Sequence, residues 1–195
     1  MTETTITGTT PTTTAPAGTA APAATGERAD LLDGLAKARW VLRCTVRELT
    51  DEQAATRTTA SELTLGGLIK HVTQMERKWA AFVVEGPAAM AMNGKDFIDW
   101  TGEDFAEYVD GFRMLPGETL QDLLDDYAAT AERTDALVRE LPTLDLIQPL
   151  PKAPWMTDSE WSARRVFLHV IGETAQHAGH ADIIRESLDG ARSMG

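Results

Sequence analysis

His169-Val170-Ile171-Gly172-Glu173-Thr174-Ala175-Gln176-His177-Ala178-Gly179-His180 holds three of the chain's four histidines; the fourth, His71, lies about a hundred residues earlier. The spacing around this stretch is helical. Ser162 is a suitable N-cap, Val166, Val170, Ile184 and Leu188 mark an apolar stripe at ~100° per residue, and Asp189-Gly190 supplies a stop. On that wheel Glu173 and His177 fall in the middle of the apolar stripe, with His169 and His180 on its flank. A carboxylate facing a core is costly unless it is paired, hydrogen-bonded or bound to a cation. The predicted inward stripes of the last three long helices carry no Lys or Arg to pair with it.

Working outward, three more helices are legible. The first spans about 28 to 49, with Leu31, Leu35, Ala38, Leu42 and Leu49 on one face. The second begins after Thr64 and carries Leu65, Leu68, Val72, Met75, Trp79 and Phe82 before Gly86-Pro87 ends it. The third starts at Glu118 or Thr119, follows Leu120, Leu124, Tyr127, Ala131, Thr134 and Val138, and is closed by Pro142. The fold class is therefore all-α, a four-helix bundle over residues 27–195 with long crossover connections. Residues 88–118, rich in aromatics, contain a short helix near 103–110 and either pack over the bundle or wall a pocket. Residues 143–160 must return the chain to the far end of the bundle. Residues 1–26 are Thr, Ala and Pro rich, too poor in apolar surface to offset ordering entropy, and read as a disordered tail.

Composition narrows the function. A net charge of −12 disfavours nucleic-acid backbones and anionic membranes as partners. No apolar run reaches the ~20 residues of a membrane span. No secretory signal opens the chain, so a cytoplasmic location is expected. Cys44 is alone, which excludes an internal disulfide, and it reads as a structural thiol.

Glu173 and His177 lie one helical turn apart and can converge on one ion. His71 from a facing helix would complete a set of two histidines and a carboxylate, leaving coordination positions open. His169 lies two turns from His177, ~12 Å on a straight helix, so both cannot bind one ion. His180 can reach the edge of the site as a supporting or acid/base group. Spacing alone leaves the alternative open: a partly buried His71 that merely hydrogen-bonds a neighbour.

Two strings carry a family likeness. Leu65-Gly66-Gly67-Leu68-Ile69-Lys70-His71-Val72 with Glu76 and Trp79 resembles the second-helix motif of the DinB/YfiT-like metalloprotein superfamily. Glu173-Thr174-Ala175-Gln176-His177-Ala178-Gly179-His180 resembles its fourth-helix motif, in the actinobacterial branch of mycothiol-dependent transferases. The resemblance implies a DinB-like bundle and a divalent metal on His71, Glu173 and His177. Zinc is the first choice, with nickel, iron and manganese as alternatives. It implies mycothiol as cosubstrate, activated as a thiolate toward an electrophilic small molecule, a detoxifying S-transfer. Superfamily isomerases carry a further C-terminal domain that this sequence lacks, so a stand-alone transferase is expected. A metal-dependent hydrolase and a non-catalytic metal-binding stress-response module remain the alternatives, and a homodimer is compatible with the fold. A di-iron carboxylate bundle ranks low, because it needs Glu-x-x-His on two helices.

Overall fold

The computed structural model describes Met1, residues 24–154 and residues 156–193. The segment read as a disordered tail lies almost wholly outside the described residues. Among the described residues six α-helices are formed: α1 (Glu27–Cys44), α2 (Asp51–Ala55), α3 (Leu65–Glu85), α4 (Gly102–Asp110), α5 (Leu120–Glu140) and α6 (Ala163–Asp189). The four long ones are α1, α3, α5 and α6, and they make the expected all-α bundle. Their ends are where local chemistry puts them. The hydroxyls of Thr64, Thr119 and Ser162 accept the backbone N–H of Gly67, Asp122 and Arg165, capping α3, α5 and α6. Gly190, at φ 79°, closes α6.

The first helix stops earlier than expected, at Cys44. The Arg185 guanidinium from α6 donates to the carbonyls of Thr45 and Arg47, at 3.0 and 2.8 Å. Carbonyls satisfied in this way no longer need another helical turn.

Two apolar clusters set the topology. One joins Leu31 and Leu35 of α1, Trp79 and Phe82 of α3, Val138 of α5, and Val166 and Phe167 of α6. The other joins Leu42, Leu65 to Val72, Leu120 to Tyr127, and Ala178 to Ile184. It follows that α1 and α6 run one way and α3 and α5 the other. Around the bundle α6 packs against both α1 and α3, and α5 packs against α3 and, less extensively, α1.

This arrangement corrects the expected connections. α5 ends and α6 begins at the same end of the bundle, so residues 141–162 return nothing. At that end β1 (Ile147–Pro149) and β2 (Glu160–Ser162) form an antiparallel ribbon, pairing Gln148 with Trp161. The crossover is the earlier segment, residues 86–119. It runs the length of the bundle so that α5 can start beside the start of α3, and it contains the expected short helix as α4.

Between the apolar clusters lies a buried polar layer. Arg39 of α1 reaches Glu76 of α3 with two hydrogen bonds, at 2.5 and 3.2 Å, and Asp135 of α5 at 2.8 Å. Glu76 is fully buried and Arg39 nearly so. The core carboxylate is therefore Glu76, and the cation that pairs with it comes from α1. Arg185 of α6 is also buried, contrary to the expectation of no basic residue inside the last helix.

Candidate metal centre

On α6 the core positions are Val166, Phe167, Val170, Thr174, Ala178 and Ala181. Glu173 and His177 stand beside that stripe rather than in its middle; the Glu173 side chain is 32% exposed and that of His177 13%. The small Thr, Ala and Ala at the true centre let α6 approach its neighbours, and this rotates the polar flank 169–173–177–180 toward α3 and the crossover.

Of the three residues singled out as ligands, the structure sets His71 and Glu173 each against His177. The imidazoles of His71 and His177 meet edge to face with ring centroids 4.9 Å apart. A Glu173 carboxylate oxygen lies 3.8 Å from His177 Nε2. His180 packs edge-on against His177 at 5.6 Å. His169 stands apart, as two helical turns require, with its ring against Trp79 at 4.9 Å and Trp161 at 5.0 Å.

Burial sets the protonation of these rings. It pushes His71 down to about 4, with a smaller contribution from His177. It also pushes His177 down, helped by His180. Both are neutral near pH 7, the form that offers a lone pair to a metal. His177 Nδ1 is buried with no hydrogen-bond partner among the described residues. Among those residues no three acidic, His or Cys side chains are drawn together into a ready-made coordination sphere. The donor chemistry of His71, Glu173 and His177 nonetheless fits a divalent cation: two neutral imidazoles, one with an uncommitted buried nitrogen, beside a carboxylate.

Phe112 is the participant that sequence reasoning missed. Its ring stacks on His71 at 3.9 Å, and Tyr108 packs on Phe112 at 5.3 Å. The signal was present in Gly66-Gly67. Glycine in a helix costs about 1 kcal/mol against alanine, so a pair of them calls for a reason. A Cβ on Gly67 would lie 1.9 Å from the Phe112 carbonyl oxygen, and one on Gly66 2.2 Å from the Met114 sulfur. The glycines let the crossover backbone lie directly on α3.

The crossover also walls a cleft of about 820 Å³ between α3 and α6, with His71 and Glu173 in its lining. A separate groove of about 610 Å³ beside α1, around Arg43 and Arg47, contains none of the predicted ligands. Cys44 lines that groove, its sulfur accepting a hydrogen bond from Arg47 at 2.7 Å, and no histidine lines it.

A profile of the mycothiol-S-transferases matches residues 30–190, a span that includes every residue of the site. The chain belongs to this family. Among solved structures, a conserved protein from Enterococcus faecalis superposes with a TM-score of 0.60 at 15% identity, covering 86% of this chain and 100% of the other. At that identity the likeness shows the fold alone. No curated protein matches the chain. The DinB-like bundle and mycothiol-S-transferase membership therefore stand as the sequence strings implied.

Proposed function

We propose that the protein is a metal-dependent S-transferase that joins a low-molecular-weight thiol, mycothiol, to an electrophilic small molecule. The observation that carries this reading is the meeting of His71 with His177 and Glu173 at a large cleft, in a chain of the mycothiol-S-transferase family.

His71, Glu173 and His177 are the residues that would hold the cation, zinc in first place. A divalent ion bound there lowers the pKa of a thiol beside it, so that a nucleophilic sulfur is available at neutral pH. The protein's own part is positional. Phe112 fixes the plane of His71 by stacking, and Tyr108 supports Phe112 from the crossover. His180, edge-on to His177, limits that ring's rotation and carries an uncommitted Nδ1 at the margin of the site. The protein needs no nucleophile of its own, which leaves Cys44 to its contact with Arg47. No described helix is long and apolar enough to cross a membrane, and a thiol cosubstrate suits the cytoplasm.

Two measurements test the reading. Metal content of purified protein is expected to fall to background in His71→Ala and His177→Ala; full retention in both overturns the ligand assignment. Mass spectrometry of reactions with mycothiol and a panel of electrophiles is expected to show thioether products. Incorporation of water oxygen instead would mark a hydrolase, and no turnover across the panel would mark a binding module.

A further inference from the structure

The cleft continues well beyond the candidate metal centre. α3 and α6 run in opposite directions, so each sends one row of side chains along it. From α3 the row is His71, Met75 and Lys78; from α6 it is Glu173, His169 and Arg165. His71 stands level with His177 and Trp79 with His169, so Glu173 lies one helical turn nearer Arg165 than His71 does. Lys78 is seven residues from His71 and Arg165 eight from Glu173, which is about 10 and 12 Å of helix. Two cations therefore line the cleft some two helical turns from the metal ligands.

These cations differ from most others in the molecule. Lys70, Arg77, Lys95 and Arg164 each meet a carboxylate within ion-pair distance. Among the described residues Lys78 and Arg165 meet none. The cleft's nearby carboxylates are bonded elsewhere: Asp158 accepts the Trp161 indole N–H at 2.8 Å, and Glu107 accepts from Asn93 at 3.0 Å while acting on Lys78 only at longer range. Arg165 is held over the Trp161 ring at 4.5 Å. That ring is itself stacked on Trp79 at 5.0 Å. The Arg165 guanidinium is thus positioned by an aromatic column with its donors uncommitted. The lining also includes Met75, Met92 and Met156. Thioether side chains of this kind adapt to apolar bodies of varied shape.

We propose that Lys78 and Arg165 form an anion site that selects the electrophilic substrate: an elongated, apolar molecule with a carboxylate about 10 Å from its reacting carbon. The site takes its place in catalysis from the transferase reading above, on which that part of the proposal rests. In the reaction the cosubstrate's sulfur donates an electron pair to the reacting carbon and a C–S bond forms. The bond to the leaving group breaks, the leaving group departs with the electron pair of that broken bond, and the thiol proton passes to solvent. Throughout, the carboxylate stays on Lys78 and Arg165 and fixes the distance of the carbon from the sulfur.

The test separates binding from turnover. Octanoate and its uncharged analogue octanamide are titrated into the protein, with quenching of tryptophan fluorescence and calorimetry as readouts. Octanoate is expected to bind more tightly than octanamide. The preference should fall by about ten-fold or more in Lys78→Met/Arg165→Met, with octanamide binding unchanged. Equal affinity for the two ligands in the wild type, or an undiminished preference in the double variant, overturns the proposal. ω-Bromooctanoate and its methyl ester then serve as substrates with mycothiol, releasing bromide. A higher KM for the free acid, but not the ester, in the double variant supports the site's role in selection; equal effects on both overturn it. Octanoate binding with the expected preference but no conjugation of either bromide leaves the anion site standing and removes the transferase reading.

Discussion

Single glycines in this protein have opposite meanings, and their surroundings decide which. Gly67 sits where a Cβ would collide with the Phe112 backbone. Gly67→Ala should cost about 1–3 kcal/mol, the usual range for overpacking. It should also weaken metal retention, because Phe112 must leave His71 to make room. Urea denaturation and metal analysis of one preparation read both effects. Gly172, within α6 and beside Glu173, has open space where a Cβ would stand, with no neighbouring atom within 4 Å. Gly172→Ala should therefore stabilise by about 0.5–1 kcal/mol, through lower chain entropy in the unfolded state and better helix propensity. Stabilisation by Gly67→Ala, or destabilisation by Gly172→Ala, would contradict the packing described.

At the scale of elements, the crossover is what closes the cleft, and one buried carboxylate within it ties residues 93–104 together. Asp104 accepts hydrogen bonds from the Asn93 amide at 3.0 Å, Lys95 at 2.7 Å, and both the hydroxyl and the backbone N–H of Thr101 at 2.7 Å. These bonds, Asn93's first among them, hold its carboxyl well below the usual carboxylate range. The linkage has a definite sign. A group whose folded pKa is depressed contributes its stability above its unfolded pKa, near 4, and loses it as pH falls through the folded value. Hydrogen exchange of amides in residues 93–105 is therefore expected to lose protection below about pH 4 in the wild type. In Asp104→Asn protection should be weaker at neutral pH and nearly independent of pH. A wild-type profile flat down to pH 2 would remove Asp104 from this role.

The whole molecule is organised about the polar layer that divides its two apolar clusters. Arg39 and Glu76 join α1 to α3 through the centre of the bundle, and Asp135 ties α5 to the same guanidinium. Removing Glu76 takes two hydrogen bonds from the buried Arg39 and leaves it Asp135 alone, a loss of up to about 3–5 kcal/mol. Glu76→Ala is expected to lose that much in chemical denaturation. Replacing both partners with apolar residues, Arg39→Met with Glu76→Leu, should recover much of it, because the one charge that then loses its partner, Asp135, is partly exposed and keeps Arg139 at 3.7 Å. Equal losses in the single and double variants would mean that the layer contributes through shape rather than charge.

Much of this was legible in the chain because it is local. Thr64, Thr119 and Ser162 each cap the helix that follows them, and Gly190 ends the last one. Such signals act within one turn of backbone, so reading them needs no knowledge of neighbours. The nearness of Glu173 to His177 was legible too, because i,i+4 spacing places them together on any α-helix, whereas spacing alone left the role of His71 open.

What only the tertiary structure decided is the rotation of each helix about its own axis and the partner it meets. A stripe as ragged as that of α6 leaves its inward face uncertain by tens of degrees. The close approach permitted by Thr174, Ala178 and Ala181 moved Glu173 from the expected core to the wall of a cleft. Partners far apart in sequence, such as Arg39 with Glu76 and Phe112 with His71, leave no periodic trace. The direction of the crossover likewise follows from which residues of the long helices share each apolar cluster, a property of packing that local sequence does not encode.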